Sequence, residues 1–511
     1  MMMKNYIRRG LILLTALLFF PLQLASAQGT DTSMVYYIHS IRYHIEGITT
    51  AYALQRAMEI HGGEVIQGKD ALGAFVQDKL QLLLNQRVLE EAKIDYHLLD
   101  READGRIPVD LTVSVKDTWN LIALPYFKYD SNTGLELSVK GRDFNFLGTM
   151  EPLKLDLGYT IDPDTLSSGS LGKGTFFVDL ESKTPFLLAH HDANFVFNHY
   201  FAVSNQFGLE YLNTTGLTVD FPYRGTVFTV GAFQGISVNE EELYQYKSLY
   251  GDRYPGYWYL SNWLSAAWTI PTGLRLGEMG VVNYVPSLEF RYNYKIDGDI
   301  GDERHGPTTT VAHALDVGRF DWVGNFRRGF LGHLELSNEY NLFFSTWDSA
   351  ITGFAILYHP VADFFGPSFR FMGNYYFGKP DYLAGFPLRG IFDKSIVAQY
   401  GLYLNADFPF RLIQFVPSQW FKNRKYAFFD FEQQWGPFID MALLKDPVHG
   451  TSFSLNDMFV TGGLEVVTFP LFMRSFYIRI SVGLDLRAAV SEKTIPQGDH
   501  REIYVGLGHH Y

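Results

Sequence analysis

The sequence predicts a transmembrane antiparallel β-barrel of about 16 strands behind one small α+β domain, and three observations carry that prediction. From Trp119 onward, apolar and polar residues alternate with the period of two that sends successive side chains to opposite faces of a strand. Aromatic residues make up 16% of the 511 residues, and barrels use them where strands meet the membrane–water interfaces. Residues 120–511 number 392, and at roughly 24 residues per strand and connection they supply about 16 strands.

Taken in chain order, residues 1–27 read as a secretory signal. Lys4, Arg8 and Arg9 precede an apolar run from Leu11 to Phe20, and Ala25-Ser26-Ala27 offers small residues for cleavage. The run is too short to cross a bilayer core, and Pro21 follows it directly. Residues 36–118 then form the small domain. Ile41 to Ile45 alternates as a strand, and Tyr52–Ile60 and Leu72–Val88 have helical spacing, the second with an apolar stripe of Leu72, Phe75, Val76, Leu80, Leu83 and Leu84. Gly62-Gly63 punctuates the two helices, and Ala92–Leu98 and Val109–Val115 alternate about a turn at Asp104-Gly105-Arg106. The expected order is strand, helix, helix, strand, strand. A strand edge in such a domain could pair with an extended peptide; a structural spacer fits the same residues.

In the barrel region Leu135, Leu137 and Val139 alternate with Glu136, Ser138 and Lys140, and Leu153, Leu155, Leu157 and Tyr159 with Lys154, Asp156 and Gly158. Leu402, Leu404, Ala406 and Phe408 alternate with Tyr403, Asn405 and Asp407. The cleanest series sets Ile478, Ile480, Val482, Leu484 and Leu486 against Arg479, Ser481, Gly483, Asp485 and Arg487. A soluble sandwich would hide such an apolar face against a second sheet. The barrel is favoured because Ile503, Val505, Leu507, His509 and Tyr511 form a last alternating strand, and because Trp258, Tyr259, Trp263 and Trp268 look like an interfacial aromatic cluster.

Composition narrows the function classes. The net charge of −13 speaks against a nucleic-acid partner, which calls for a concentrated positive face. Zero cysteines exclude disulfides, thiol nucleophiles, cysteine-held zinc or iron–sulfur clusters and a lipidated N-terminal cysteine. Mean hydropathy of −0.04 argues only against helical membrane spans, since alternating strands average their two faces. An enzyme is not expected: there is no Gly-x-Ser-x-Gly elbow and no His-Glu-x-x-His motif. Acidic groups such as Glu240-Glu241-Glu242, or Asp299 with Asp302, could bind calcium but read as solvated loops. The adjacent pairs His190-His191 and His509-His510 point to opposite strand faces, so no metal and no cofactor are expected.

One segment is specific. Leu388-Arg389-Gly390-Ile391, within Gly385-Phe386-Pro387-Leu388-Arg389-Gly390, resembles the Val-Arg-Gly-aromatic motif of the Omp85-type outer-membrane assembly and transport family (bacterial surface antigen family). The strand Gly401 to Pro409, then Phe428-Phe429-Asp430-Phe431, then Gly462-Gly463-Leu464-Glu465 with Pro470 follow at family-like spacing. Gly141 to Thr149 is similar to the family's first hairpin, and the front domain is similar to a single polypeptide-transport-associated (POTRA) domain. Position 388 is Leu where the family favours Val, and position 391 is Ile where an aromatic is usual, with Phe392 one place later. The resemblance implies that Arg389 sits on a long loop folded into the barrel. Asp430 is the expected carboxylate partner, with Glu432 in reserve, because a desolvated guanidinium is costly without one.

The resemblance also implies function without covalent chemistry. The barrel would insert or export polypeptides through a weak seam, with Leu135, Leu137 and Val139 in the first strand and Gly506, Gly508 and Tyr511 in the last. Unfolded outer-membrane or secreted polypeptides are the expected partners, together with periplasmic chaperones or lipoproteins and outer-membrane lipids. The chain would lie in the outer membrane with the front domain in the periplasm. The alternatives are a passive porin with Arg389 at its constriction, or a transporter dedicated to one secreted partner or lipid.

Overall fold

A computed structural model describes residues 34–130, 134–161, 174–204, 208–238, 258–277, 280–298, 300, 305–378, 380–381, 384–391, 396–448, 450–492 and 500–507. The expected leader, the acidic loops at Glu240–Glu242 and at Asp299 and Asp302, Phe392, Gly508, His509-His510 and Tyr511 lie outside these residues.

The front domain contains β1 (Val35–Glu46), α1 (Ala51–Met58), β2 (Val65–Gln67), α2 (Lys69–Asn85), β3 (Leu89–Leu98) and β4 (Arg106–Asp117). Its sheet has the order β2-β1-β4-β3, with β1 and β4 parallel and β3 at one edge. The expected five-element order is corrected by one strand. Behind the Gly62-Gly63 turn, Val65–Gln67 pairs antiparallel with Val35–Tyr37. Three residues are too few to display a period in sequence, so only pairing reveals this strand. The α1 helix begins at Thr50, whose side chain accepts from the Ala53 N–H, and ends where Glu59 turns left-handed at φ 51°. Leu54 and Met58 of α1 and Leu72, Val76 and Leu83 of α2 bury against Ile38, Val109, Leu111 and Val113 of the sheet. The helical stripe is thus what holds the helices to the strands.

The barrel follows after three residues. Its first half comprises β5 (Leu121–Asp130), β6 (Gly134–Asp143), β7 (Leu153–Ile161), β8 (Gly174–Leu188), β9 (His191–Ser204), β10 (Gly208–Tyr223), β11 (Thr226–Val238), β12 (Trp258–Arg275) and β13 (Val281–Tyr294). Its second half comprises β14 (Gly306–Val323), β15 (Phe326–Asn341), β16 (Thr346–Tyr358), β17 (Ser368–Tyr376), β18 (Tyr400–Asp407), β19 (Phe410–Phe415), β20 (Phe431–Lys445), β21 (Phe459–Pro470), β22 (Ile478–Asp485) and β23 (Arg501–Leu507). Neighbours pair antiparallel and the sheet closes through β23 and β5. Both β18 and β19 pair with β20, so they are one stave interrupted at Phe408-Pro409, and 18 staves close the barrel among the described residues. The estimate of about 16 was low because several connections are shorter than assumed. Ala189-His190 and Arg224-Gly225 turn the chain in two residues, all four with positive φ, the backbone of a tight hairpin turn. His190 therefore lies in a turn.

The alternating faces sort as lipid-facing and lumen-facing. Leu137, Val139, Leu155, Leu157, Ile478, Ile480 and Val482 are exposed on the outside, while Ser138, Asp156, Arg479 and Ser481 are buried inside. The aromatic cluster needs correction. Trp268 lies on the outer face opposite Phe228, whereas Tyr259 shares the inner face of β12 with buried Ser261, and Trp263 stacks on Phe233 at 5.1 Å. Half of the cluster belongs to the lumen, because period two alternates whatever the residue type.

The front domain docks on one mouth. Tyr52 of α1 donates to Asp192 at 2.8 Å, and Arg56 pairs with Glu151 at 3.2 Å and donates to Asn194. At the end of α2, Asn85 donates to Asp321 at 2.8 Å. Arg87 lies over the Trp322 ring at 4.1 Å and donates to Asn325 and the Arg474 carbonyl. The contacted turns follow β6, β8, β14 and β21, so the domain spans that mouth rather than hanging from one hinge.

Candidate functional site: a loop tip pinned in the lumen

Between β17 and β18 the chain leaves the opposite mouth and returns inward. Ala384, Leu388, Ile391, Ile396 and Ala398 bury against Tyr403, Ala442 and Leu444 of the wall. Tyr403 donates to the Ala384 carbonyl at 2.9 Å, and Asn405 to the Pro387 carbonyl at 2.7 Å. A tight turn, with the Leu388 N–H on the Gly385 carbonyl at 2.8 Å, presents Arg389 at the tip. Asp440 lies five residues inside the Lys445 end of β20, so the tip enters the lumen by about 17 Å.

Arg389 is 2% exposed. Its Nε and Nη2 donate to Oδ2 and Oδ1 of Asp440 at 2.9 and 2.8 Å, a bidentate grip on a carboxylate that is itself fully buried. Its backbone N–H adds a third bond to Asp440 at 3.0 Å. Asp407 lies 2.7 Å from Nη2, Glu465 3.4 Å from Nη1, and the guanidinium sits over the Phe438 ring at 3.8 Å. Arg479 reaches the same Glu465 at 3.6 Å. Three carboxylates from β18, β20 and β21 therefore surround one loop arginine, and opposite charge offsets the desolvation of each.

Gly390 fixes the tip to the next strands. It has φ 103°, and a Cβ there would lie 2.5 Å from the Leu484 nitrogen. Gly483 on β22 is the reciprocal small residue, since its Cβ would lie 2.8 Å from Arg389 and Gly390 backbone atoms. The Gly390 N–H donates to Glu502 of β23 at 2.9 Å. The loop thus holds five consecutive staves up to and including the last one described.

The expected partners of Arg389 are corrected. Asp430 accepts from the Ser418 N–H at 3.0 Å and from the Ser418 hydroxyl, at the turn on the domain side. Glu432 faces Arg411 at 3.9 Å and accepts from Gln434. Asp430 stands ten residues from Asp440 along the chain, about 33 Å of strand. Asp440 carried a signal of its own: a charge within Phe438-Ile439-Asp440-Met441-Ala442, tolerable in a barrel wall only if it points inward.

The seam is corrected as well. The strand of Leu135, Leu137 and Val139 is β6, which pairs on both sides, with β5 and β7. The first strand is β5, and its described pairing with β23 consists of Tyr504 opposite Asp130 and Val505 opposite Tyr129. By contrast, β22 and β23 pair without a break from Ile478 opposite Leu507 to Leu484 opposite Arg501. Pro125 removes one N–H from β5, a substitution sheets tolerate at edges. Gly506 lies at this seam, where a Cβ would lie 2.7 Å from the Tyr126 hydroxyl oxygen.

No family model matches the chain, and no curated protein does. Among solved structures the chain is similar to CdiB from Acinetobacter baumannii, at 12% identity and TM-score 0.48, covering 93% of this chain and 74% of that one. It is similar to BamA from Haemophilus ducreyi lacking POTRA domains 1–3, at 11% identity and TM-score 0.38, covering 93% and 84%. It is similar also to CdiB from Escherichia coli, at 12% identity and TM-score 0.38, covering 96% and 92%. These are likenesses of fold.

Proposed function

We propose that this chain is an Omp85-type outer-membrane protein that inserts or translocates polypeptides, with its front domain in the periplasm. The observation that carries the reading is the loop tip, pinned by Arg389 to Asp407, Asp440 and Glu465 and by Gly390 to Glu502. A machine that must stay sealed until a client arrives needs a loop packed into its lumen. The seam between β5 and β23 supports the same reading: when it opens, the backbone groups of β5 can pair with an incoming strand, and pairing is the only way such groups are satisfied in lipid. No covalent step is needed, and no residue is assigned to catalysis. Periplasmic chaperones or lipoproteins would meet the exposed surface of the front domain, whose β3 edge remains available.

Two experiments test this. In planar bilayers the purified protein should give small, flickering conductance, and a large steady pore would favour a porin. A photo-crosslinker at Ala123 of β5 should capture nascent strands in cells, and the adducts name the client. Many captured barrel proteins indicate a general insertase, one secreted partner a dedicated transporter, and none overturns the seam.

A further inference from the structure

On the domain side the β14–β15 hairpin continues past the wall. Its pairing with β13 ends at Asp316 opposite Asn283, and its pairing with β16 ends at Gly329 opposite Tyr358. The two strands go on pairing with each other to Val323 opposite Phe326, so residues 317–328 overhang the barrel. Glycine marks the base of the overhang on both strands: Gly318 has φ 87° and Gly329 φ 132°. A Cβ would lie 2.1 Å from the Phe330 oxygen at the first and 2.2 Å from the Arg319 oxygen at the second, so the backbone takes this course only with glycine. The overhang then crosses the mouth. Gln434 of β20 donates to the Asn325 carbonyl at 3.0 Å, although β16, β17 and the β18–β19 stave stand between β15 and β20. Phe326, 7% exposed, rests on Gly366 of the β16–β17 connection, where a Cβ would lie 2.5 Å from its ring. Asn325, Phe326 and Arg327 line a cavity of about 60 Å³ together with Asp407 and Glu465, the carboxylates that face Arg389.

The other side of the overhang belongs to the front domain. Asp78, Gln81 and Asn85 recur along α2 at three- and four-residue spacing, which puts them on one face of the helix, and all three engage the overhang. Asp78 pairs with Arg319, and Gln81 donates to the Trp322 carbonyl at 3.1 Å. Asn85 accepts from the Trp322 N–H at 2.9 Å and donates to Asp321 at 2.8 Å. Since β14 has left β13 by this point, side-chain amides of the helix satisfy backbone groups that a neighbouring strand would otherwise take. Arg87 completes the grip on the Gly324 carbonyl and the Asn325 side chain.

We propose that residues 317–328 are a flap over the domain-side mouth, held shut by α2 of the front domain. While α2 grips the flap, Asn325 stays on Gln434 and Phe326 on Gly366. When the domain shifts, the flap swings at Gly318 and Gly329 and opens the cavity beneath Arg389 to the domain side. The barrel then has a closure of its own at each mouth, one pinned by charge and one carried by the domain. The inference concerns the mouth and does not depend on what the barrel passes.

The test uses the full chain, which has no cysteine of its own. A Cβ at position 366 would lie 3.0 Å from Phe326 Cγ, so Phe326→Cys with Gly366→Cys brings two thiols within disulfide reach across the flap. In planar bilayers, with Arg389→Ala added to free the loop, the oxidised protein should lose the sustained conductance that the reduced protein shows. The rate at which the disulfide closes under mild oxidant reads the flap without any pore. Asn85→Ala with Arg87→Ala should slow that closure about ten-fold, because the flap no longer stays on Gly366; mere uncovering by the domain would leave the rate equal or higher. Heat-dependent gel migration confirms a folded barrel in each variant. Sustained conductance of the oxidised protein, or a closure rate that the α2 variants do not lower, would overturn the proposal. If Arg389→Ala fails to open even the reduced barrel, the closure rate alone decides.

Discussion

The two mouths of this barrel are closed by different chemistry. At one, the loop tip buries Arg389 and Asp440 to 2% and 0% exposure and grips the wall through charge. At the other, apart from the buried Arg87, the front domain rests on turns through ion pairs that keep partial contact with water: the side chains of Arg319 and Asp78 are 44% and 43% exposed, and those of Arg56 and Glu151 31% and 36%. Water decides what each contact is worth. A desolvated pair is costly to break because the survivor stays buried and uncompensated, while an exposed pair gains little from forming. The loop is therefore the firm closure and the domain the compliant one. Under the proposed function, firmness in the lumen would keep the membrane sealed, and compliance at the rim would let the domain move with its cargo.

The largest effect should come from the firm closure. Arg389→Ala leaves Asp440 buried without a cation and should cost about 3–5 kcal/mol of loop anchoring. The measurement is bilayer conductance, which should rise from flickering to sustained opening while the barrel stays folded. Asp440→Asn should follow in the same direction, whereas Asp430→Asn should leave conductance unchanged because its bonds go to Ser418. Gly390→Ala ranks next. Its φ of 103° and the Leu484 backbone 2.5 Å from the added Cβ force the tip off β22, at about 1–3 kcal/mol. Protease accessibility of the loop should increase. If Arg389→Ala changed neither conductance nor accessibility, the two closures would be equally compliant and the contrast would fail.

How much of this was legible in the sequence follows from how local each signal is. Alternation is a property of neighbours, so β6, β7 and β22 could be read residue by residue, and the helical stripe of α2 likewise. β5 was missed as the seam strand because Ile122, Leu124 and Tyr126 make its inner face as apolar as its outer one, which erases the period. Arg389 stood out through its neighbours Leu388 and Gly390, but its partners lie on three other strands. Which carboxylate meets it depends on how far the loop descends, and no spacing along the chain encodes that depth. Asp407 and Glu465 were both visible as charges in alternating or glycine-marked strands. Only the fold brings them within 3.5 Å of one guanidinium.

The compliant closure should separate into a strong and a weak contact. Arg87 is 8% exposed, stacks on Trp322 and donates to carbonyl oxygens and to Asn325. Arg87→Ala should weaken docking by about 1–3 kcal/mol, read as faster hydrogen exchange in the Gly324–Arg327 turn. Arg319→Ala should cost at most about 1 kcal/mol, and a double-mutant cycle with Asp78→Ala should show coupling that fades as salt is raised past a Debye length of about 8 Å. Salt distinguishes the two mouths most cleanly, because ions screen pairs they can reach. Domain docking should loosen between low and high salt while loop protection stays constant. Equal salt sensitivity at both mouths would mean that Arg389 is hydrated in solution, and the firm closure would lose its physical basis.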